Sequence, residues 1–293
     1  MNLILTVFQV VAPVFTLALI GFIWVKLDIE YRVEFVTKLA MTVSIPCLIF
    51  VALMKTKVSG SALTAISLAS IVAYAGVTLI MFLFIKINRL SAPTYLAPLI
   101  FGNTGNLGIP LALFAFGEVG LQYAVVSFAI MAVYSFTAGI WIVSGGGNPL
   151  KALKEPMVGA TILGGIFLWQ GWETPVWITN ALELLGQMGI PLMLITLGVA
   201  LARLSPAGLL RAFWLSLAKV IICAAIAWTV AVLFKLDDVA FAVLVLQVST
   251  PVAVTSYLIA QKYGANAGEV AGMVVASTFL SIAFIPILLA FLL

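Results

Sequence analysis

The sequence contains no histidine among its 293 residues. That removes the commonest metal ligand and the commonest general base. Cysteine is nearly absent: Cys47 and Cys223 both sit inside apolar runs. Buried packing is their expected role, and no disulfide framework is implied. Charge is scarce too. Charged residues make up 8% of the chain, whereas soluble domains carry about 25%. No acid falls at the centre of an apolar run. Glu118, Glu173, Glu183, Asp237, Asp238 and Glu269 lie at run ends or in loops. Proton and sodium carriers usually keep a carboxylate within the membrane. A cation here would have to be held by hydroxyls, amides and carbonyls alone. An intramembrane enzyme would need a nucleophile–base pair, a metal site or an Asp-rich motif. None is visible, so neither catalytic residues, a metal nor a cofactor is expected. Long polar segments are missing as well, which leaves no room for a soluble domain.

What is present is hydrocarbon. Hydrophobic residues make up 64% of the chain, and the mean hydropathy is +1.27. A membrane span needs roughly 20 apolar residues. Ten segments qualify, at 3–25, 35–54, 62–85, 95–116, 121–143, 156–171, 176–202, 210–234, 239–261 and 268–293. The sixth starts at Pro156, a favourable first helical position. The N-terminus lacks a basic region and a small-residue cleavage site, so it reads as a retained span. The expected fold class is therefore an all-α polytopic membrane protein, and the lipid bilayer is its first partner. The net charge of +4 does not suggest nucleic acid, because the basic residues are scattered singly.

Lys and Arg set the expected orientation. The first, third, fifth, seventh and ninth connections carry Lys26, Arg32, Lys38, Lys86, Arg89, Lys151, Lys154, Arg203, Arg211 and Lys262. The other side has Lys55, Lys57 and Lys235. The first group should be cytoplasmic, with both termini on the extracytoplasmic side. The longest connection, SGGGNPLKALKE over 144–155, reads as a linker between two halves.

Those halves resemble each other. SIPCLIF at 44–50 matches GIPLMLI at 189–195, and GNTGNLGIPLAL in the fourth segment matches LQVSTPVAVTSYL in the ninth. Pro46 and Pro191 are 145 residues apart; Pro110 and Pro251 are 141 apart. Each half has five segments, so the second must enter the membrane from the opposite side. Inverted repeats with interrupted helices at matching positions point to a transporter site.

The two interruptions supply the candidate site. Pro110 and Pro251 lack an N–H and clash with a preceding carbonyl. Gly102, Gly105 and Gly108 permit close backbone approach, although small-residue helix packing also accounts for Gly102 and Gly105. Asn103, Thr104, Asn106, Gln247, Ser249 and Thr250 can satisfy the freed backbone or a ligand. Half-helix N-termini near the midplane would present N–H donors to a small anion such as a carboxylate. Ser44, Tyr134 and Lys219 are further candidates. Lys219 could attract an anion or counter a helix C-terminus, but snorkelling to the interface is its ordinary reading.

The sequence resembles the auxin efflux carrier family. The resemblance rests on Pro13 and Gly21 in the first segment, IPCLIF in the second and N-T-x-x-x-G-I-P at 103–110. LLGQMGIPLMLITLG at 184–198 and the polar-Pro interruption in the ninth segment add to it. It implies ten transmembrane helices in a five-plus-five inverted repeat with broken, crossing helices four and nine. It implies a scaffold from 1–61 and 155–208, a mobile transport domain from 62–143 and 209–293, and a linker at 144–154. It further implies elevator movement of a small organic anion across a bacterial inner membrane, and a homodimer. The resemblance maps the family's Asn and Pro of the fourth helix onto Asn103 and Pro110. The chemistry of the two interruptions adds Thr104, Gly105, Asn106, Gln247, Ser249, Thr250 and Pro251 as expected substrate-binding residues. In the ninth segment the plant exporters often have Asn where this chain has Gln247, Ser249 and Thr250. The alternative within this fold is a sodium-coupled symporter of the bile-acid type. A channel is the more distant rival.

Overall fold

The structure, a computed structural model, describes residues 3–56, 58–144, 156–203 and 207–293. Nearly all of the expected linker at 144–154 lies outside the described residues, as do Lys57, Lys151 and Lys154.

The described chain is helical. Its elements are α1 (Leu3–Lys26), α2 (Val33–Leu39), α3 (Ile45–Met54), α4 (Gly60–Ile87), α5 (Ala92–Ile100), α6 (Ile109–Tyr134) and α7 (Ile140–Ser144). Then follow α8 (Pro156–Gln170), α9 (Val176–Gln187), α10 (Gly189–Arg203), α11 (Leu209–Leu233), α12 (Asp238–Val248), α13 (Val254–Tyr263) and α14 (Ala267–Leu292). Among the described residues, seven helical runs are long and apolar enough to cross a membrane; Pro156–Gln170 and Asp238–Val248 are shorter apolar helices. Each expected segment falls on one of these helices or on two consecutive ones. The fourth and fifth share the run Thr104–Ser144, in which Gly117 adopts φ +63°. There the chain turns back so closely that a Cβ on Gly120 would press on the Ala112 carbonyl.

Side-chain caps start several helices. Ser59 accepts from the Ala62 amide, Asp237 from Ala240 and Asn266 from Glu269, each satisfying an orphan donor of a first turn. The exterior is apolar, as a bilayer-facing surface must be: Phe8, Leu79, Ile87, Leu233 and Phe291 are all exposed. Trp24, Trp141, Trp169, Trp172, Trp177 and Trp214 are exposed near helix ends.

The most extensive helix packing falls in two sets, which meet where α1 touches α6 and α14. In one, α1 lies along α10, and α3 packs against α8 and α9. The α1–α10 contact is backbone against backbone. A Cβ on Gly21 would run into the Ile195 carbonyl, and one on Gly198 into that of Ala18. In the other group, α11 packs on α14, α12 and α4, while α6 packs on α12 and α4.

Side-chain contacts also sort the connections into two ends. At one end, Arg203 Nη2 donates to the Tyr31 carbonyl at 2.8 Å, and Arg211 lies 3.8 Å from Glu269. At the other end, Lys55 pairs with Glu183, Thr56 donates to Gln122 at 2.7 Å, and Tyr123 donates to Asp237 at 2.7 Å.

Three π turns interrupt the helices: 40–44, 104–108 and 135–139. The first two end just before a proline at the second position of the next helix, Pro46 and Pro110. Proline cannot supply the N–H that the carbonyl four residues back would accept, and its ring crowds that carbonyl. A wider turn relieves both problems. The third π turn has no proline, and nothing in the sequence signals it.

Candidate functional site

The fourth-segment interruption is narrower than GNTGNLGIP suggests. Helix α5 ends at Ile100, only Phe101–Asn103 is unwound, and a π turn over Thr104–Gly108 leads into α6. Pro110 lies in the first turn of α6 rather than in the unwound stretch. The ninth-segment interruption spans 249–253, between α12 and α13. Gln247 belongs to the last turn of α12.

The two unwound stretches meet. Gly102 and Val252 form an isolated antiparallel bridge. The Asn103 amide donates to the Pro251 carbonyl at 2.6 Å, and the Ala253 amide to the Phe101 carbonyl at 3.3 Å. Each interruption thus satisfies part of the other's backbone, a necessity where water is excluded. Two glycines make the approach possible. A Cβ on Gly102 would collide with Thr250 Oγ1, and one on Gly108 with Gln247 Oε1. Gly105 also serves packing: its α-carbon faces Met193 and Phe128. Both readings of these glycines therefore hold, at different positions.

Side chains complete only part of the accounting. The Thr250 hydroxyl donates to the Gln247 carbonyl at 2.7 Å, and the Val252 amide donates to Ser277 Oγ at 2.9 Å. Gln247 Nε2 reaches the Ala124 carbonyl at 3.5 Å. By contrast Asn103 Nδ2, Thr104 Oγ1, Gln247 Oε1 and Ser249 Oγ are buried with no hydrogen-bond partner. Each such group costs about 1–3 kcal/mol; these four lie at the paired interruptions, and Ser70, Tyr74 and Ser127 carry buried unpartnered hydroxyls as well.

Asn106 differs from its neighbours. It is half-buried and borders a cavity of about 640 Å³. Met193 and Thr196 of α10, Thr37 of α2, and Val254, Thr255 and Tyr257 of α13 form other walls. Glu30, Tyr31, Arg32, Glu34 and Arg203 lie toward the loop end of the cavity, where Arg32 is paired with Glu30 at 2.6 Å. The Tyr31 hydroxyl and Thr196 Oγ1 are 2.7 Å apart. Burial pushes the Tyr31 phenol above its ordinary pKa, against the opposing effects of Thr196 and Arg203. It is therefore a neutral hydrogen-bonding group at physiological pH. Sequence reading missed Tyr31, Thr196 and Arg203, because Tyr31 and Thr196 are 165 residues apart and nothing local marks them.

The remaining candidates lie elsewhere. Ser44 is fully buried against Gly189 and its hydroxyl has no partner. Tyr134 shares a 2.9 Å hydrogen bond with Thr78 and stands edge-on to Phe101 at 5.5 Å. Lys219 is 1% exposed, so it does not snorkel; its ammonium turns inward and donates to the Leu99 carbonyl at 3.3 Å. None of the three lines the cavity that Asn106 borders. Among the described residues, no three His, Cys, Asp or Glu side chains are grouped to hold a metal.

A family profile described as membrane transport protein matches residues 6–154 and 146–289. An uncharacterised transporter of Methanocaldococcus jannaschii is 29% identical over 202 residues, 64% of this chain. The chain spans 64% of the length of that relative.

Proposed function

The chain belongs to the membrane transport protein family, the auxin efflux carrier family that its motifs resemble, and from that premise we propose a secondary carrier for a small organic anion. The observation that carries this reading is the antiparallel pairing of Phe101–Asn103 with Pro251–Ala253, with Asn106 of the next turn bordering the cavity of about 640 Å³. Paired interruptions at equivalent points of two repeats are where carriers of this kind hold their cargo. Uncharged donors such as Asn106 at the cavity and the unpartnered Asn103 Nδ2, Thr104 Oγ1 and Ser249 Oγ can bind a carboxylate by hydrogen bonds, without an opposing charge in the membrane.

The fourteen helices of the described residues make up ten membrane spans, in two five-span repeats of opposite orientation. The α1–α3 and α8–α10 group is the scaffold, and the α4–α7 and α11–α14 group is the moving body. What supports this division is the packing of the two groups and the sorting of the connections into two ends. The excess of Lys and Arg places the end with Tyr31 and Arg203 in the cytoplasm, with both termini outside and the protein in a cell inner membrane. The cavity then opens inward, and the Thr56–Gln122 bond lies on the closed outer side. An elevator movement of one group against the other exposes the crossing alternately. Scaffold surfaces pair two copies in a homodimer.

The experiment is uptake or efflux of labelled small carboxylates by proteoliposomes containing wild type, Asn106→Ala or Gln247→Ala. Loss of transport by both variants with unchanged melting temperature is the expected result. Normal transport by both overturns the site assignment. Saturation and counter-flow distinguish a carrier from a channel.

A further inference from the structure

Among the described residues, Lys219 is the only charged side chain that is buried. It lies ten residues inside α11 (Leu209–Leu233), far from either end. Its Nζ has two close neighbours, the Leu99 carbonyl at 3.3 Å and Cys223 Sγ at 3.9 Å.

Leu99 is the next-to-last residue of the half-helix α5. In an unbroken helix its carbonyl would accept from the amide of residue 103. That amide is committed elsewhere, to Pro251. The interruption therefore releases the Leu99 carbonyl, and the ammonium of Lys219 takes it. The carbonyl end of α5 also carries the negative end of the helix dipole.

The surroundings of Lys219 are oxygen-rich and hold no acid. With Ser216, Ser249, Thr250, Ser277 and Ser281 it borders a void of about 10 Å³, room for about one water-sized group. Ser249 Oγ, 2% exposed, has no hydrogen-bond partner. An ammonium inside a membrane protein is costly unless a countercharge or oriented dipoles compensate it. Here the partners at hydrogen-bond distance are the Leu99 carbonyl and Cys223 Sγ, and the hydroxyl-bearing residues line the void beside the ammonium. Hard metal cations such as sodium are held by oxygen ligands, and the Leu99 carbonyl and the hydroxyl-bearing residues around the void supply oxygens of that kind. The void shares no lining residue with the cavity at Asn106, so Lys219 does not touch what that cavity holds.

We propose that Lys219 is a tethered cation: its ammonium fills the place and charge role of a metal ion at the carbonyl end of α5, beside the crossed interruptions, so that transport of an anion proceeds without sodium. It is a positioning residue, acting through the Leu99 carbonyl and the Ser249–Pro251 segment. An anion held at the crossing gains from a fixed positive charge a few residues away in a medium of low dielectric. The charge belongs to the chain, so no ion needs to enter or leave with each cycle. The transport consequence rests on the carrier reading above; the binding consequence does not.

The test is thermal unfolding of purified protein in sodium chloride and in choline chloride of equal concentration. Wild type should melt at the same temperature in both. Lys219→Ser exposes the oxygen shell and makes room for an ion. It should melt about 3 °C or more higher in sodium chloride than in choline chloride. Equal melting of the Ser variant in both salts overturns the proposal, as does a sodium-dependent rise in wild type. Should Lys219→Ser fail to fold in either salt, Lys219→Arg and Lys219→Met decide. Folding of the Arg variant but not the Met variant supports a requirement for charge. Folding of Met as stable as wild type overturns it. Should the melting shifts appear while proteoliposomes carry no anion, the tethered cation stands and the carrier reading falls.

Discussion

The amide of Asn103 donates to the carbonyl of Pro251 at 2.6 Å, across 148 residues of chain. This bond joins the two interruptions into one element. Its consequence is that neither interruption is an independent flaw. Disturbing the approach of one stretch leaves backbone groups of the other without partners in a place water reaches poorly.

Gly102→Ala tests that dependence most directly. The added Cβ would meet Thr250 Oγ1 within van der Waals contact, and the hydroxyl is held by its bond to the Gln247 carbonyl. Overpacking of this kind costs roughly 1–3 kcal/mol, and the bridge to Val252 should loosen. A melting temperature several degrees below wild type, with transport lost, is the expected outcome. An Ala variant that melts and transports like wild type would show that the two stretches are not in the observed contact.

Thr104→Val separates stability from function. Thr104 is fully buried and its hydroxyl has no partner. Valine has nearly the same shape without the unpaired group, so the variant should be as stable as wild type or more stable by about 1 kcal/mol. If the hydroxyl serves the cargo at some stage of the cycle, transport should fall about fivefold or more. Such an exchange of activity for stability is characteristic of functional sites. A variant unchanged in both measurements would assign Thr104 to packing.

Gly198→Leu probes the α1–α10 contact away from the site. A side chain at Gly198 would strike the Ala18 carbonyl and the Phe22 amide, and backbone in a long apolar helix cannot yield as a side-chain tip can. Loss of folded protein, read as aggregation on size-exclusion chromatography, is expected. Gly159 has open space around its α-carbon, and Gly159→Leu should leave the elution profile unchanged. Equal behaviour of the two variants would sink the claim that α1 and α10 meet backbone to backbone.

How much of this could be read beforehand depends on the kind of signal each residue carries. GNTGNLGIP stands out because polar and glycine residues interrupt an apolar run, and QVSTP stands out because it recurs at a matching offset. The offset matches the two as equivalent points of the halves, and their crossing is what the family resemblance implies. The π turns ahead of Pro46 and Pro110 were not legible, since proline signals a missing donor but not how the chain accommodates it. Lys219 misled, because its distance along α11 does not say which face it occupies; a lysine facing lipid snorkels, and one facing α5 finds a carbonyl. Tyr31, Thr196 and Arg203 were invisible, because the cavity is assembled from loop and helix ends that only the fold brings together.

Asn106 and Ser249 should differ in what can reach them, and this distinguishes the cavity from the rest of the crossing. Asn106 borders the space leading toward Tyr31 and Arg203, whereas Ser249 is 2% exposed and borders only the small void at Lys219. In a background carrying Cys47→Ser and Cys223→Ser, the native thiols are removed. A cysteine introduced as Asn106→Cys should then react with a membrane-impermeant thiol reagent applied from the cytoplasmic face, and one introduced as Ser249→Cys should resist it. Reaction of the Asn106 position only from the opposite face would reverse the orientation inferred from Lys and Arg. Equal reaction of both positions would mean that the crossing opens to water as a whole. In that case the unpaired groups of Thr104, Gln247 and Ser249 would be solvated in the working protein and would carry no argument for a dry binding site.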